Sequence, residues 1–278
     1  MKLADRIGGE IVSVDSMQVY KGMDVGTAKP THLERNRIRH HLIDLVDPDV
    51  DFSVAEFSRV GRRVLEERDV PLVISGGSGL HFRSLVDPMS FAPTDPELRA
   101  ELERRDLEDL REDLLAIDKD AANHVDLRNK RRVVRSLEIA RLGAGTPSGR
   151  YASVEARRLR NYDSDYEIRA FGLDPGDRLE HLVAGRLAQM RAGGLVEEVR
   201  GLVGRMGRTA RAAIGYREVL AALAGRIEMG EAFTQIESNT MSLARRQRTW
   251  FQRDPRVQWI PWSDDADGLA DRIEQELE

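Results

Sequence analysis

Two short apolar runs rich in β-branched residues stand out near the start of the chain, Ile11-Val12-Ser13-Val14 and Leu72-Val73-Ile74. Each predicts a short strand, the second of the type buried in a parallel sheet. The first run ends in Asp15-Ser16-Met17-Gln18 and the second in Gly76-Gly77-Ser78-Gly79. Elsewhere the apolar positions recur every three or four residues. Val54, Phe57, Val60, Val64 and Leu65 predict a helix, and Ser53 with Glu56 supplies a capping box for its first turn. Residues 31–39 and 97–115 read as polar or charged helices. Residues 127–142 read as a basic helix with Val133, Val134, Leu137, Ile139 and Ala140 inward. His40 to Asp44 predicts a strand entering the Asp47-Pro48 turn, and the two histidines are assigned no chemistry. Tyr166 to Leu173 alternates as a strand does, and a helix follows from about 177 to 191. The chain is then mainly helical to Trp250, with an extended stretch at Trp259 to Trp262 and a last short helix. Met1 to Arg6 reads as the end of an amphipathic helix closed by Gly8-Gly9.

Strand, glycine-rich turn and helix in succession place backbone N–H groups and a helix N-terminus where an anion or a base edge can meet them. In open α/β sheets, ligands bind outside the carboxyl ends of the strands. Asp15, Ser16 and Gln18 are delivered to that position by the first strand, and Ser78 by the turn after the second. Around Phe91 to Asp95 the character changes to dense charge. The fold class expected is therefore α/β: a core over 1–93 and 161–278, with a small helical domain inserted over 94–160.

Composition changes this picture in three places. No apolar run approaches the roughly 18 residues of a membrane span, and MKLADRIGGE lacks the apolar centre of a signal peptide. Cysteine is absent, which excludes disulfides and thiolate chemistry and is compatible with a cytoplasmic location. The net charge is −5, yet Arg128 to Arg160 holds ten Arg and Lys against Glu138 and Glu155, a local balance of +8. A basic patch on an acidic protein is an electrostatic footprint for a polyanion; a solvated helix face is the ordinary alternative. GAGTPSGR at 143–150 does not meet the spacing of a phosphate loop, since Arg150 and Tyr151 stand where Lys and Ser or Thr are required. It reads as a plain loop. Arg245-Arg246-Gln247-Arg248 with Trp250 and Phe251 mixes basic and aromatic residues, which suits nucleic acid or, equally, a helix anchored in the core.

The stretch DSMQVYKGMDVGTAKP at 15–30 closely resembles the tRNA dimethylallyltransferase (tRNA isopentenyltransferase) family. The resemblance continues in order through HHLIDLVDP at 40–48, FSVAEF at 52–57, PLVISGGSGLHF at 71–82, DPELRAEL at 95–102, NKRRVVRSLEI at 129–139, AIGYREV at 213–219 and RRQRTWFQRD at 245–254. It implies a P-loop-NTPase-like parallel sheet flanked by helices, with an inserted helical domain that grips a tRNA anticodon stem-loop. It implies transfer of a dimethylallyl group from dimethylallyl diphosphate to N6 of adenosine 37 in tRNAs reading U-initial codons, with Mg²⁺ as cofactor. Carried over residue by residue, it makes Asp15 and Ser78 catalytic. Asp15, Ser16, Met17, Gln18, Ser78, Arg99, Arg131, Arg132 and Arg135 become tRNA contacts, and Arg217 binds the diphosphate. No residue is assigned as a metal ligand, and a monomer in the cytoplasm is expected.

One departure stands out. The family's G-P-T-x-S-G-K-[ST] loop and the strand before it have no counterpart in this sequence, which opens inside the helix that would follow. The expectations are a misassigned start codon or a truncated form, and a chain that as written is inactive or nearly so and poorly soluble. Two other functions stay open. One is an adenylate isopentenyltransferase acting on free nucleotide, against which the basic inserted block argues. The other is a catalytically inactive tRNA-binding form. A P-loop kinase has no stronger claim without the loop.

Overall fold

The fold is known here from a computed structural model, which describes residues 1–277. It divides into two compact units, residues 1–86 with 167–278, and residues 87–166. The second unit begins and ends several residues outside the 94–160 block expected from charge.

The first unit opens with helix α1 (Lys2–Arg6), whose Lys2 and Arg6 pair with carboxylates of a helix at the far end of the chain. Strand β1 (Glu10–Ser13) follows, then α2 (His32–Arg37), β2 (His40–His41), α3 (Val54–Glu67), β3 (Leu72–Ser75) and α4 (Gly79–Val86). Both predicted helix starts carry working caps. Ser53 accepts from the Glu56 N–H, and the Glu56 carboxylate returns to the Ser53 N–H; Thr31 and Glu34 do the same for α2. The three strands are parallel in the order β2-β1-β3, with Ile11 beside His40 and Val73. Behind them Ala4, Ile11 and Ile38 form a buried cluster against which Val73 packs. Crossovers through α2 and α3 make this a parallel sheet, as expected from the unalternating apolar runs.

The second unit is wholly helical apart from its loops: α5 (Pro96–Arg104), α6 (Leu107–Ile117), α7 (Lys130–Arg141), α8 (Pro147–Ala152) and α9 (Val154–Arg160). Leu102, Leu110, Leu114, Val133, Val134 and Leu137 close its core. The stretch 143–150 reads from sequence as a loop, but its second half is helical, belonging to α8. Thr146 caps it by accepting the Gly149 N–H, and Pro147 sits at its first position, where its fixed φ suits a helix start.

The chain then returns to the first unit with β4 (Ala170–Asp174), α10 (Leu179–Ala192), α11 (Leu195–Leu202), α12 (Arg208–Arg211), α13 (Tyr216–Leu223), α14 (Met229–Phe251), β5 (Val257–Pro261) and α15 (Ala266–Gln275). Strands β4 and β5 pair in parallel as a second, separate sheet. The parallel strands thus form two sheets rather than the single one expected. Strand β3 was expected to be buried, yet its side chains are only half-buried. It pairs with β1 alone, and among the described residues no strand covers its other edge. No helix among the described residues is long and apolar enough to cross a membrane.

Candidate active site

Strands β1 and β3 run in parallel and in register, Ser13 beside Ser75, so their carboxyl ends open side by side. The ladder carries on past both strands. The Val14 N–H donates to the Ser75 carbonyl at 2.8 Å, and the Ser78 N–H donates to the Val14 carbonyl at 3.3 Å. Gly76 makes this closeness possible. Its φ is +151°, and a Cβ there would lie 2.8 Å from the Val14 backbone. Asp15 and Ser78 are thereby brought to one place by backbone hydrogen bonds alone.

They line a cavity of about 330 Å³. One wall is Asp15, Ser16 and Met17, with Asp15 Oδ1 accepting the Met17 N–H at 2.8 Å in a turn that fixes the carboxylate. A second wall is the Gly77-Ser78 turn with the first residues of α4, Gly79 and Leu80. A third is the long helix α14, which presents Leu243, Arg246, Gln247 and Trp250 at the three- and four-residue spacing of one helix face. Gly79 faces the Trp250 indole so closely that any larger residue would collide with it. Arg186 from α10, Gly26 and Thr27 from the 22–28 loop, and Tyr216 from α13 complete the enclosure.

The 22–28 loop is held by side chains from distant sequence. Glu198, on α11, accepts the N–H groups of Asp24, Val25 and Gly26 at 2.8, 2.7 and 3.1 Å, and the Tyr216 hydroxyl at 2.6 Å. The buried Lys29 ammonium donates to the Tyr20 carbonyl at 2.8 Å and to Asp24 and Asp44 at 2.6 Å each. Burial, with Glu198 alongside, raises the Tyr216 phenol well above its ordinary range, so it stays a neutral donor. Next to the cavity the half-buried His81 ring lies 2.7 Å from the Ser78 Oγ through Nδ1 and stands edge-on to Phe57. Burial lowers the His81 pKa, with the Asp15 carboxylate pulling weakly the other way.

The cavity is therefore lined by one carboxylate (Asp15), two guanidiniums (Arg186 and Arg246), the hydroxyl residues Ser16, Thr27, Ser78 and Tyr216, and the Trp250 indole. A carboxylate can take a proton from an incoming nucleophile, and the guanidiniums can receive anionic oxygens. Asp15 Oδ2 remains available, since the turn occupies Oδ1.

The model of the IPP transferase family matches residues 18–254. The chain belongs to the IPP transferase family. It is 43% identical to the tRNA dimethylallyltransferase of Streptomyces coelicolor over 98% of this chain and 86% of that one. It is 39% identical to the protein of the same name from Geobacter metallireducens, over 98% and 91%. The crystal structure of the full-length tRNA isopentenylpyrophosphate transferase of Bacillus halodurans superimposes with a TM-score of 0.70 at 33% identity, covering 99% of this chain and 89% of that one.

Within this transferase the residues singled out from sequence separate into groups. Asp15, Ser16, Met17 and Ser78 share the cavity wall. Gln18 stands one layer behind. It accepts from the Ser13 hydroxyl at 2.9 Å and donates to the Thr27 carbonyl at 3.2 Å, tying β1 to the loop. Arg217 does not line the cavity; its side chain is half-exposed and donates to the buried Glu218 at 2.5 Å. The cations that do line it, Arg186 and Arg246, went unassigned. Arg246 lay in a flagged basic-aromatic stretch, whereas nothing in the sequence around Arg186 marks it.

In the second unit Arg99 and Arg135 both donate to the fully buried Glu138, at 2.6 and 2.7 Å. Arg131 and Arg132 are exposed on α7.

Proposed function

We propose that the protein transfers a dimethylallyl group from dimethylallyl diphosphate to N6 of adenosine 37 in tRNAs that read U-initial codons. Its family, and the name its curated relatives share, support transfer to tRNA. The observation that carries the chemistry is the meeting of Asp15 with Arg186 and Arg246 around one cavity of about 330 Å³.

An exocyclic amine is a weak nucleophile until its proton has somewhere to go. As the new C–N bond forms at the allylic carbon, the C–O bond to diphosphate breaks and its electron pair leaves with diphosphate. The amine proton passes to Asp15. Arg186 and Arg246 face the negative charge that builds on the departing oxygens. Trp250 and Met17 give the flat, apolar surface on which a base taken out of its stack would lie.

Mg²⁺ fits this site only in company. Asp15 is the one carboxylate of the cavity, and no cluster of three or more metal-ligating side chains exists among the described residues. An ion there would be held chiefly by the diphosphate's own oxygens, because the one carboxylate of the cavity is needed as the proton acceptor. When bound, Mg²⁺ supplies charge neutralisation to the leaving group.

The test is direct. The purified protein is incubated with dimethylallyl diphosphate and unmodified tRNA, the RNA is digested, and the nucleosides are read by mass spectrometry. Dimethylallyladenosine at position 37 is expected, and AMP is expected to be a far poorer acceptor. Prenylation of AMP in preference to tRNA, or tight tRNA binding without transfer, would overturn this reading.

A further inference from the structure

The helical unit holds a second cavity that the transfer reaction does not use. Its volume is about 280 Å³, with walls from Val125, Ser136, Ile139, Pro147, Arg150 and Tyr151. The walls are mostly apolar, with a hydroxyl and a guanidinium among them, which is the make-up of a small-ligand site.

At this cavity stands a stack of three planar groups. The His124 ring lies over Tyr151 with centroids 4.4 Å apart and planes tilted by 28°. The Arg160 guanidinium carbon lies 3.9 Å from the same Tyr151 centroid. Both groups thus pack against the Tyr151 ring. Arg160 is also anchored by a 2.7 Å bond to the Tyr151 carbonyl. The start of α8 is pinned where Asp118 accepts the Ser148 N–H at 2.7 Å. The stack is therefore preorganised rather than a chance of side-chain rotamers. It is also open: Tyr151 is 48% exposed, and His124 and Arg160 are exposed.

An open stack beside an apolar cavity, in a segment with a local balance of +8, matches one ligand chemistry closely. A nucleobase offers a flat π face for the imidazole, phenol and guanidinium planes gathered here, and its phosphates suit Arg150 and the arginines of α9. A hydrophobic peptide has no use for the positive charge, and a phosphate alone has none for the stack.

We propose that this cavity is a second RNA site, taking one unpaired nucleobase of the substrate RNA against the His124–Tyr151–Arg160 stack. This rests on the reading that the substrate is tRNA. It adds a place at which single-stranded RNA is held by stacking in the helical unit, distinct from the reacting adenosine.

The experiment uses the whole chain and a fluorescent anticodon stem-loop RNA, with dissociation constants from anisotropy at several salt concentrations. Tyr151→Ala is expected to weaken binding about tenfold without changing the salt slope, because no phosphate contact is lost. Arg150→Ala is expected to weaken binding and reduce the slope by about one. Tyr151→Phe, which keeps the ring, is expected to bind as the parent does. Ser136→Leu fills the cavity while leaving the stack in place, and is expected to weaken binding as Tyr151→Ala does; it decides the matter if Tyr151→Ala melts early. Parent-like affinity in both Tyr151→Ala and Ser136→Leu overturns the proposal. So does AMP, used as a competitor, displacing the RNA from the Tyr151-dependent site at micromolar concentration, since the occupant would then be a free nucleotide. Tyr151-dependent RNA binding without prenyl transfer would sink the functional reading alone. Normal transfer with Tyr151-independent binding would sink this proposal alone.

Discussion

Glu198 accepts the Tyr216 hydroxyl at 2.6 Å while the same carboxylate takes three successive backbone N–H groups from residues 24–26. One side chain from α11 thus fixes the loop that supplies Gly26 and Thr27 to the cavity and the tyrosine that backs it. Tyr216→Phe removes one bond to a charged acceptor without creating a void. A loss of about 1.5–3 kcal/mol in urea unfolding is expected. Glu198→Gln replaces acceptors with an amide that faces N–H donors, so it should cost more than Tyr216→Phe and raise KM for both substrates.

Asp15→Asn keeps an oxygen for the Met17 N–H and loses the proton acceptor. Transfer to tRNA is expected to fall about 10²- to 10⁴-fold in kcat, with the dissociation constant for tRNA within a few-fold of the parent. An Asp15→Asn protein with near-normal kcat would show that another group takes the proton.

The diphosphate should depend on the arginines of the cavity rather than on Arg217. Arg186→Ala and Arg246→Ala are each expected to lower kcat/KM for dimethylallyl diphosphate by about 10- to 150-fold, the worth of one charge-assisted bond. Arg217→Ala is expected to act mainly on stability, since its removal leaves the buried Glu218 without one partner. The reverse order in steady-state kinetics would restore Arg217 as the diphosphate ligand.

Glu138 is fully buried between Arg99 and Arg135 and also accepts the Asp95 N–H at 2.9 Å. Burial pushes its pKa up, but the two guanidiniums and the N–H together hold it below the ordinary carboxylate value. A carboxyl lowered in the folded state stabilises above its unfolded pKa, and that contribution is lost as pH falls through the folded value. Thermal unfolding should therefore show the helical unit weakening below about pH 4.5. Arg99→Ala or Arg135→Ala leaves Glu138 with one guanidinium fewer, at a cost of about 3–5 kcal/mol if the charge stays buried. Either variant would weaken tRNA binding through instability, so melting temperature must be read beside affinity.

His81, with its lowered pKa, is neutral at pH 7 and pairs with the Ser78 hydroxyl. Because the shift is downward, the neutral form is favoured by folding. Stability from this group is complete above the ordinary imidazole value of about 6.5 and falls as pH drops toward the folded value. Protonation also makes Nδ1 a donor only, which reorients the Ser78 hydroxyl. In a pH profile, kcat/KM for tRNA is expected to decline on the acid side, and His81→Phe is expected to flatten that limb.

Much of this site was legible in the chain. The strand ends at Asp15 and Ser78 follow from two β-branched runs that stop at polar and glycine-rich turns, and the capping boxes at Thr31 and Ser53 are local signals. Such features depend on neighbours within a few residues, so the sequence determines them by itself. Tertiary structure decided the rest. Arg186 and Arg246 reach the cavity only because α10 and α14 pack together, and α14 also packs on α4, where Gly79 admits Trp250. Glu198 holds residues 24–26 across more than 170 positions of chain. Arg99 and Arg135, assigned to RNA by the family resemblance, share a buried carboxylate, and Arg217 pairs with Glu218. The physical reason is one and the same. An arginine's sequence neighbours show that it is charged, but which anion it meets depends on which carboxylate the fold has buried within its reach, and that is settled only when distant segments close on one another.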